Sequence, residues 1–179
     1  LGRDKQALEI YRAALAILAL AGAARAEVVD KGAYGFRLKS VQQVAAPPEA
    51  VFKALGEVGR WWSDAHTYSG KAANMTMPLT PNACFCEAVP GGGVRHGVVE
   101  LVIPNRQVRV DAALGPLQDE GVSAALFFSL VPKAGGTELT VTYNVGGARD
   151  FAVSIAPAVD GVITEAATRL KRYAESGRP

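Results

Sequence analysis

The stretch Ile155 to Glu175, IAPAVDGVITEAATRLKRYAE, decides the fold. Ile155, Val159, Val162, Ile163, Ala166, Leu170 and Tyr173 recur at helical spacing, whereas Asp160, Glu165, Lys171 and Arg172 fall away from that stripe and Arg169 sits at its margin. This pattern predicts one amphipathic helix of about five turns, buried along a single stripe. Such a helix needs an apolar surface to lie on, and the chain before it supplies one. From about Thr67 to Val145 the dominant period is two, with candidate strands at 73–79, 83–89, 94–103, 107–114, 122–131 and 138–145. Pro90-Gly91-Gly92-Gly93, Pro104-Asn105-Arg106 and Pro132-Lys133-Ala134-Gly135-Gly136 are short, turn-rich connections, so neighbouring strands should pair as an antiparallel meander. The glycine run lacks the Lys-Ser/Thr of a phosphate loop and reads as a hairpin turn.

Upstream, Tyr34 to Val44 alternates as a strand. Pro47-Pro48-Glu49 then opens a short helix with the stripe Val51, Phe52, Leu55 and Val58, which Gly56 and Gly59 weaken at its end. The sum is an α+β helix-grip fold: a curved antiparallel sheet wrapped around a long C-terminal helix, with short helices after the first strand. Val159, Val162, Ile163, Ala166 and Leu170 should be buried on the concave face. A bent sheet and a straight helix do not touch along their whole length, so a cavity is expected between them.

The sequence has 179 residues, 49% hydrophobic and 20% charged, with a formal net charge of +2, which suits one globular domain with a sizeable core. Its basic residues are dispersed, and no basic stripe with interleaved aromatics marks a nucleic-acid surface. Arg3, Lys5 and Arg12 precede an apolar run from Ala13 to Ala24, and Ala24-Arg25-Ala26 has the small-x-small form of a signal-peptidase site. Residues 1–26 are therefore expected to be a signal peptide and 27–179 the mature domain, periplasmic or secreted; an N-terminal helix packed on a cytoplasmic domain is the alternative. The apolar run is shorter than the ~20 residues that span a bilayer, so no transmembrane anchor is expected. No cofactor is expected, and the oligomeric state stays open.

Chemistry concentrates in Gly59 to Gly70, GRWWSDAHTYSG, which brings Trp61, Trp62, His66 and Tyr68 together behind the short helix. Large aromatic faces beside polar groups suit the mouth of a pocket, and because adjacent residues in an extended segment point apart, one tryptophan should be structural. Cys84 and Cys86 share one face of a strand, Phe85 and Glu87 the other. Pairing Ala88 with His96 would put Cys86 opposite Val98 and Cys84 opposite Glu100. Cys84, Cys86 and His96 would then share a face that His66 could approach, a set able to hold zinc. C-x-C on a flat strand splays its sulfurs, so no metal is the expectation and free thiols the default, a disulfide there being strained. His96, at the edge of a hairpin, reads as a solvated strand residue. Glu87 in this register neighbours Gly97, which would leave room beside a carboxylate aimed into the cavity; a surface salt bridge to Arg95 or Arg109 is the plainer reading.

The strings VAAPPEAVFKALGEVGRWW, HTYSG, CFCE and ALGPL, with the C-terminal stretch, resemble the START-like or SRPBCC superfamily in its polyketide cyclase, dehydrase and lipid-transport branch, nearest an uncharacterised bacterial subgroup. The resemblance runs from about Tyr34 to Glu175. It implies a helix-grip cavity that binds a hydrophobic small molecule, such as a lipid, a sterol or an aromatic polyketide-like compound; by their own chemistry and placement Trp61, Trp62, His66, Tyr68, Phe85 and Glu87 are the residues expected to line it. Two other readings stay open: a cyclase or dehydratase using His66 and Glu87 as acid/base pair, and a protein-interaction module of co-chaperone type.

Overall fold

A computed structural model describes residues 26–179. Its strands are β1 (Ala26–Gly32), β2 (Gly35–Val44), β3 (Met75–Thr76), β4 (Cys84–Val89), β5 (Gly92–Ile103), β6 (Gln107–Asp111), β7 (Ser123–Lys133) and β8 (Gly136–Gly146). They form one curved antiparallel sheet in the order β1-β2-β8-β7-β6-β5-β4-β3, which closes the meander by bringing β8 back beside β2. Helices α1 (Pro48–Gly56) and α2 (Val58–Trp61) follow β2, and α3 (Asp150–Ser154) and α4 (Ala156–Ser176) end the chain. The architecture is the expected α+β helix grip.

Alternation builds the sheet's inner face: Phe36 and Leu38 on β2, Leu126 and Phe128 on β7, and Leu139, Val141 and Tyr143 on β8 are buried. Ile163, Ala166, Ala167 and Leu170 of α4 complete this core, and α4 also packs on α1 and α2. Pro157 in its first turn suits a helix start, and Gly177 at φ 74° stops it, donating its N–H to Tyr173 O at 2.8 Å. Val159 and Val162 depart from expectation. They are only half-buried, because the amino-terminal half of α4 lies over the cavity and not over packed sheet.

Three further differences have local causes. β1 was not anticipated; of its residues after Ala26 only Val28 is half-buried, so it carries almost no hydrophobic alternation. β3 is two residues long, where 73–79 was expected, because Ala72–Asn74 turns as a 3-10 helix and Pro78 has no N–H to donate. The β4–β5 register also differs. Phe85 pairs with Gly97 but Cys86 with Arg95, so His96 is an extra residue in β5, a β-bulge. The expected leader, residues 1–26, lies outside the described residues, apart from Ala26 at the start of β1.

Candidate ligand cavity

A cavity of about 570 Å³ lies between the first half of α4 and the sheet mouth. Ile155, Val159, Val162 and Ile163 form its helix side, Trp62 and the 65–68 loop one wall, and Leu114, Gly115 and Pro116 another; His96 supplies its strand side. Most of this surface is carbon.

The tryptophan pair divides, although Trp61 ends α2 and only Trp62 is extended, at ψ 159°. Trp61 is buried in the core, donating Nε1–H to Ala54 O at 2.9 Å, whereas Trp62 turns into the cavity wall and donates to His66 O at 3.0 Å. Arg169 on α4 donates to both of their carbonyls, Nε to Trp61 O at 2.8 Å and Nη2 to Trp62 O at 3.1 Å. The helix thus holds the backbone of the aromatic segment in place. Phe85 is fully buried behind the lining, edge-on to Trp62 with ring centroids 5.8 Å apart. Tyr68 stands at the rim, 56% exposed, its hydroxyl reaching towards Gly115 O at 3.4 Å.

The structure pairs the titratable residues differently from the expected couple. His66 Nε2 lies 3.0 Å from Glu165 Oε2 at the cavity's edge, both partly exposed. Hydrogen bonding from Ser63, the larger effect, and the His66 contact hold Glu165 below the usual carboxylate range, against its partial burial. Glu87 pairs with His96 instead. It is 1% exposed and His96 5%, with His96 Nε2 2.9 Å from Glu87 Oε2. The same carboxylate accepts the Tyr68 N–H at 3.1 Å and the Ser69 N–H. Burial pushes its pKa up, but the hydrogen bonds from Ser69, Tyr68 and His96 outweigh that and leave it lowered. Glu87 is therefore neither a surface salt-bridge partner nor a lining group; it anchors the 68–69 loop and the His96 ring from behind.

His96 is likewise not a solvated strand residue. The bulge turns it onto the inner face, where its ring packs against Phe85 at 5.1 Å and Tyr68 at 5.9 Å. Gly97 makes no room for Glu87: a Cβ there would stand 2.4 Å from Asp111 O, so its bare Cα is what lets β6 approach. Cys84 and Cys86 are joined by a disulfide, which corrects the expectation of free thiols. Their Cα atoms stand 5.3 Å apart, within disulfide range and closer than the ~6.6 Å two-residue rise of a regular strand, beside the β-bulge. The two-cysteine, two-histidine zinc set cannot assemble, because the sulfurs are bonded to each other and face away from the buried Glu87 and His96.

Residues 36–175 match the family described as polyketide cyclase / dehydrase and lipid transport. The chain belongs to that family. Solved structures agree on the fold of this family member. A Mesorhizobium loti protein, MLL2253, is 18% identical with a TM-score of 0.57, over 76% of this chain and 94% of that one. A Rhodobacter sphaeroides protein is 22% identical with a TM-score of 0.57, over 82% and 95%. The Aha1 dimer subunit of Colwellia psychrerythraea is 18% identical with a TM-score of 0.55, over 80% and 98%. Among curated proteins, none matches the chain.

Sequence reasoning did not single out Leu114, Pro116 and Ile155 as lining, nor Glu165 and Arg169 as the residues that fix the aromatic loop. Helical spacing did set Glu165 off the core stripe and Arg169 at its margin, which was the available signal.

Proposed function

We propose that this protein binds an apolar small molecule, of lipid, sterol or aromatic kind, in the cavity under α4. The observation that carries the reading is the largely hydrocarbon lining of a 570 Å³ space, the size and character of a small-ligand site. Membership of a family described by both cyclisation and lipid transport supports it. Binding is favoured over cyclase or dehydratase chemistry because the acid/base couple that chemistry was expected to use, His66 with Glu87, is not assembled: each is engaged with a different partner. The test is intrinsic fluorescence. Trp62 lies in the cavity wall, so lipids, sterols or polycyclic aromatics should quench the wild type and Trp61→Phe, and quench Trp62→Phe far less. Absence of quenching across such a panel, together with no heat of binding, would overturn the reading.

The proposed place of action is the bacterial periplasm or beyond. The leader-like pattern of residues 1–26 supports it, and so does the Cys84–Cys86 disulfide, since disulfides persist in oxidising compartments. Product of the full gene should then be recovered from the periplasm with Glu27 at its amino terminus; an uncleaved cytoplasmic product would refute this.

A further inference from the structure

Resting on the cavity being a ligand site, we propose that His96 is its recognition group: with Nε2–H committed to Glu87, His96 Nδ1 accepts a hydrogen bond from a hydroxyl on an otherwise apolar ligand. A carboxylate accepts and does not donate, and Glu87 is surrounded by donors, the Tyr68 and Ser69 N–H groups and His96 Nε2. The proton on the shared edge therefore sits on Nε2. In the neutral ring the remaining nitrogen, Nδ1, is a lone-pair acceptor. It has no hydrogen-bond partner among the described residues, yet it is not sealed away, because the one buried side-chain polar atom left without a partner there is Asp160 Oδ1. The ring cannot turn to hide it: Phe85 and Tyr68 flank the imidazole, and Glu87 holds its far edge.

Other polar groups of the cavity are spent or wet. Thr67 Oγ1 keeps lone pairs after donating to Asp64 O at 2.8 Å but sits in an exposed contact, Tyr68 reaches Gly115 O at the exposed rim, and His66 is partly in water beside Glu165. His96 is thus the one nearly dry, unspent acceptor facing carbon walls. A site of this kind selects for the group that satisfies it, because a ligand lacking the donor leaves a buried polar atom unpaired. It favours alcohols and phenols over the corresponding ethers and ketones, whose oxygens would meet a lone pair with a lone pair.

Calorimetric titration with 2-naphthol, 2-methoxynaphthalene and naphthalene tests this. Wild type should bind 2-naphthol about tenfold or more tightly than its methyl ether. His96→Phe, which keeps a ring in place, should lose the preference for 2-naphthol over its ether. Because that variant could fail to fold, the second readout uses the wild type: two-bond ¹H–¹⁵N spectra, read directly for a chain with two histidines, should show the His96 proton on Nε2 and an Nδ1 resonance that moves with 2-naphthol and not with the ether. If all three compounds bind alike, or if Nδ1 carries a proton, the recognition role falls while apolar binding stands. If 2-naphthol leaves Nδ1 unmoved, because that nitrogen opens only onto the smaller 300 Å³ hollow that His96 also borders, the proposal is likewise overturned. If none of the three binds, the cavity reading falls with it.

Discussion

Glu87 shows how one side chain can serve two parts of a site at once. Its oxygens fasten the loop that carries Tyr68 and the strand residue His96, so its loss should be felt on both sides of the cavity. Glu87→Gln puts an amide among three donors and should cost roughly 2–4 kcal/mol at neutral pH, read from urea unfolding. Its pH dependence has a definite sign. The folded-state pKa lies below the ordinary 4.5, so the stabilisation is fully present above pH 4.5 and is lost as pH falls through the lower folded value. Wild type should therefore lose stability in that acid window, and the gap to Glu87→Gln should narrow there; a gap that stays constant with pH would show Glu87 unlinked to folding. Trp61 is a core residue by the same scale of reasoning, buried and bonded to Ala54 O. Trp61→Ala should cost about 3–5 kcal/mol by thermal or urea unfolding.

Between elements, the exit of β6 matters most. Tyr143, buried on β8, donates to Ala112 O at 2.9 Å and accepts the Leu114 N–H at 3.0 Å, so one phenol carries the chain out of β6 and into the cavity wall. Burial, the main cause, raises its pKa, and it stays neutral and able to donate. Tyr143→Phe leaves two backbone groups unmatched and should cost about 1–3 kcal/mol, with weaker ligand binding as Leu114 loosens. Gly97→Ala tests the neighbouring strand crossing. Its new methyl would meet Asp111 O and the Cβ and Cα of Ala112, atoms that move only with the backbone, so β5 and β6 should part; unfolding at wild-type urea concentration would contradict this. The β4–β5 bulge belongs to the same scale. It adds one residue to β5, and that residue is the histidine that meets Glu87.

For the whole molecule, α4 is the closure of the fold. Leu170 is fully buried against the sheet, and Leu170→Ala should cost roughly 2–5 kcal/mol, whereas Val159→Ala and Val162→Ala, which face the cavity, should cost less and change ligand affinity more. Equal destabilisation at all three positions would mean that the space under the helix is packed shut. The α+β class, the meander and the stripe of α4 were legible in the sequence, because periodicity is a local property; which tryptophan is structural was not, since Trp61 ends α2 and does not lie in an extended segment. β1 escaped because a strand with almost no buried side chains has no period to read. The tertiary structure alone decided that Glu87 meets His96 and not His66, that Glu165 takes His66, and that Cys84 and Cys86 are bonded on the outer face. The Glu87–His96 contact turns on one extra residue in one strand: with a side-chain period of two, a single-residue shift exchanges the faces of the sheet, and no pattern within either strand marks where the shift occurs.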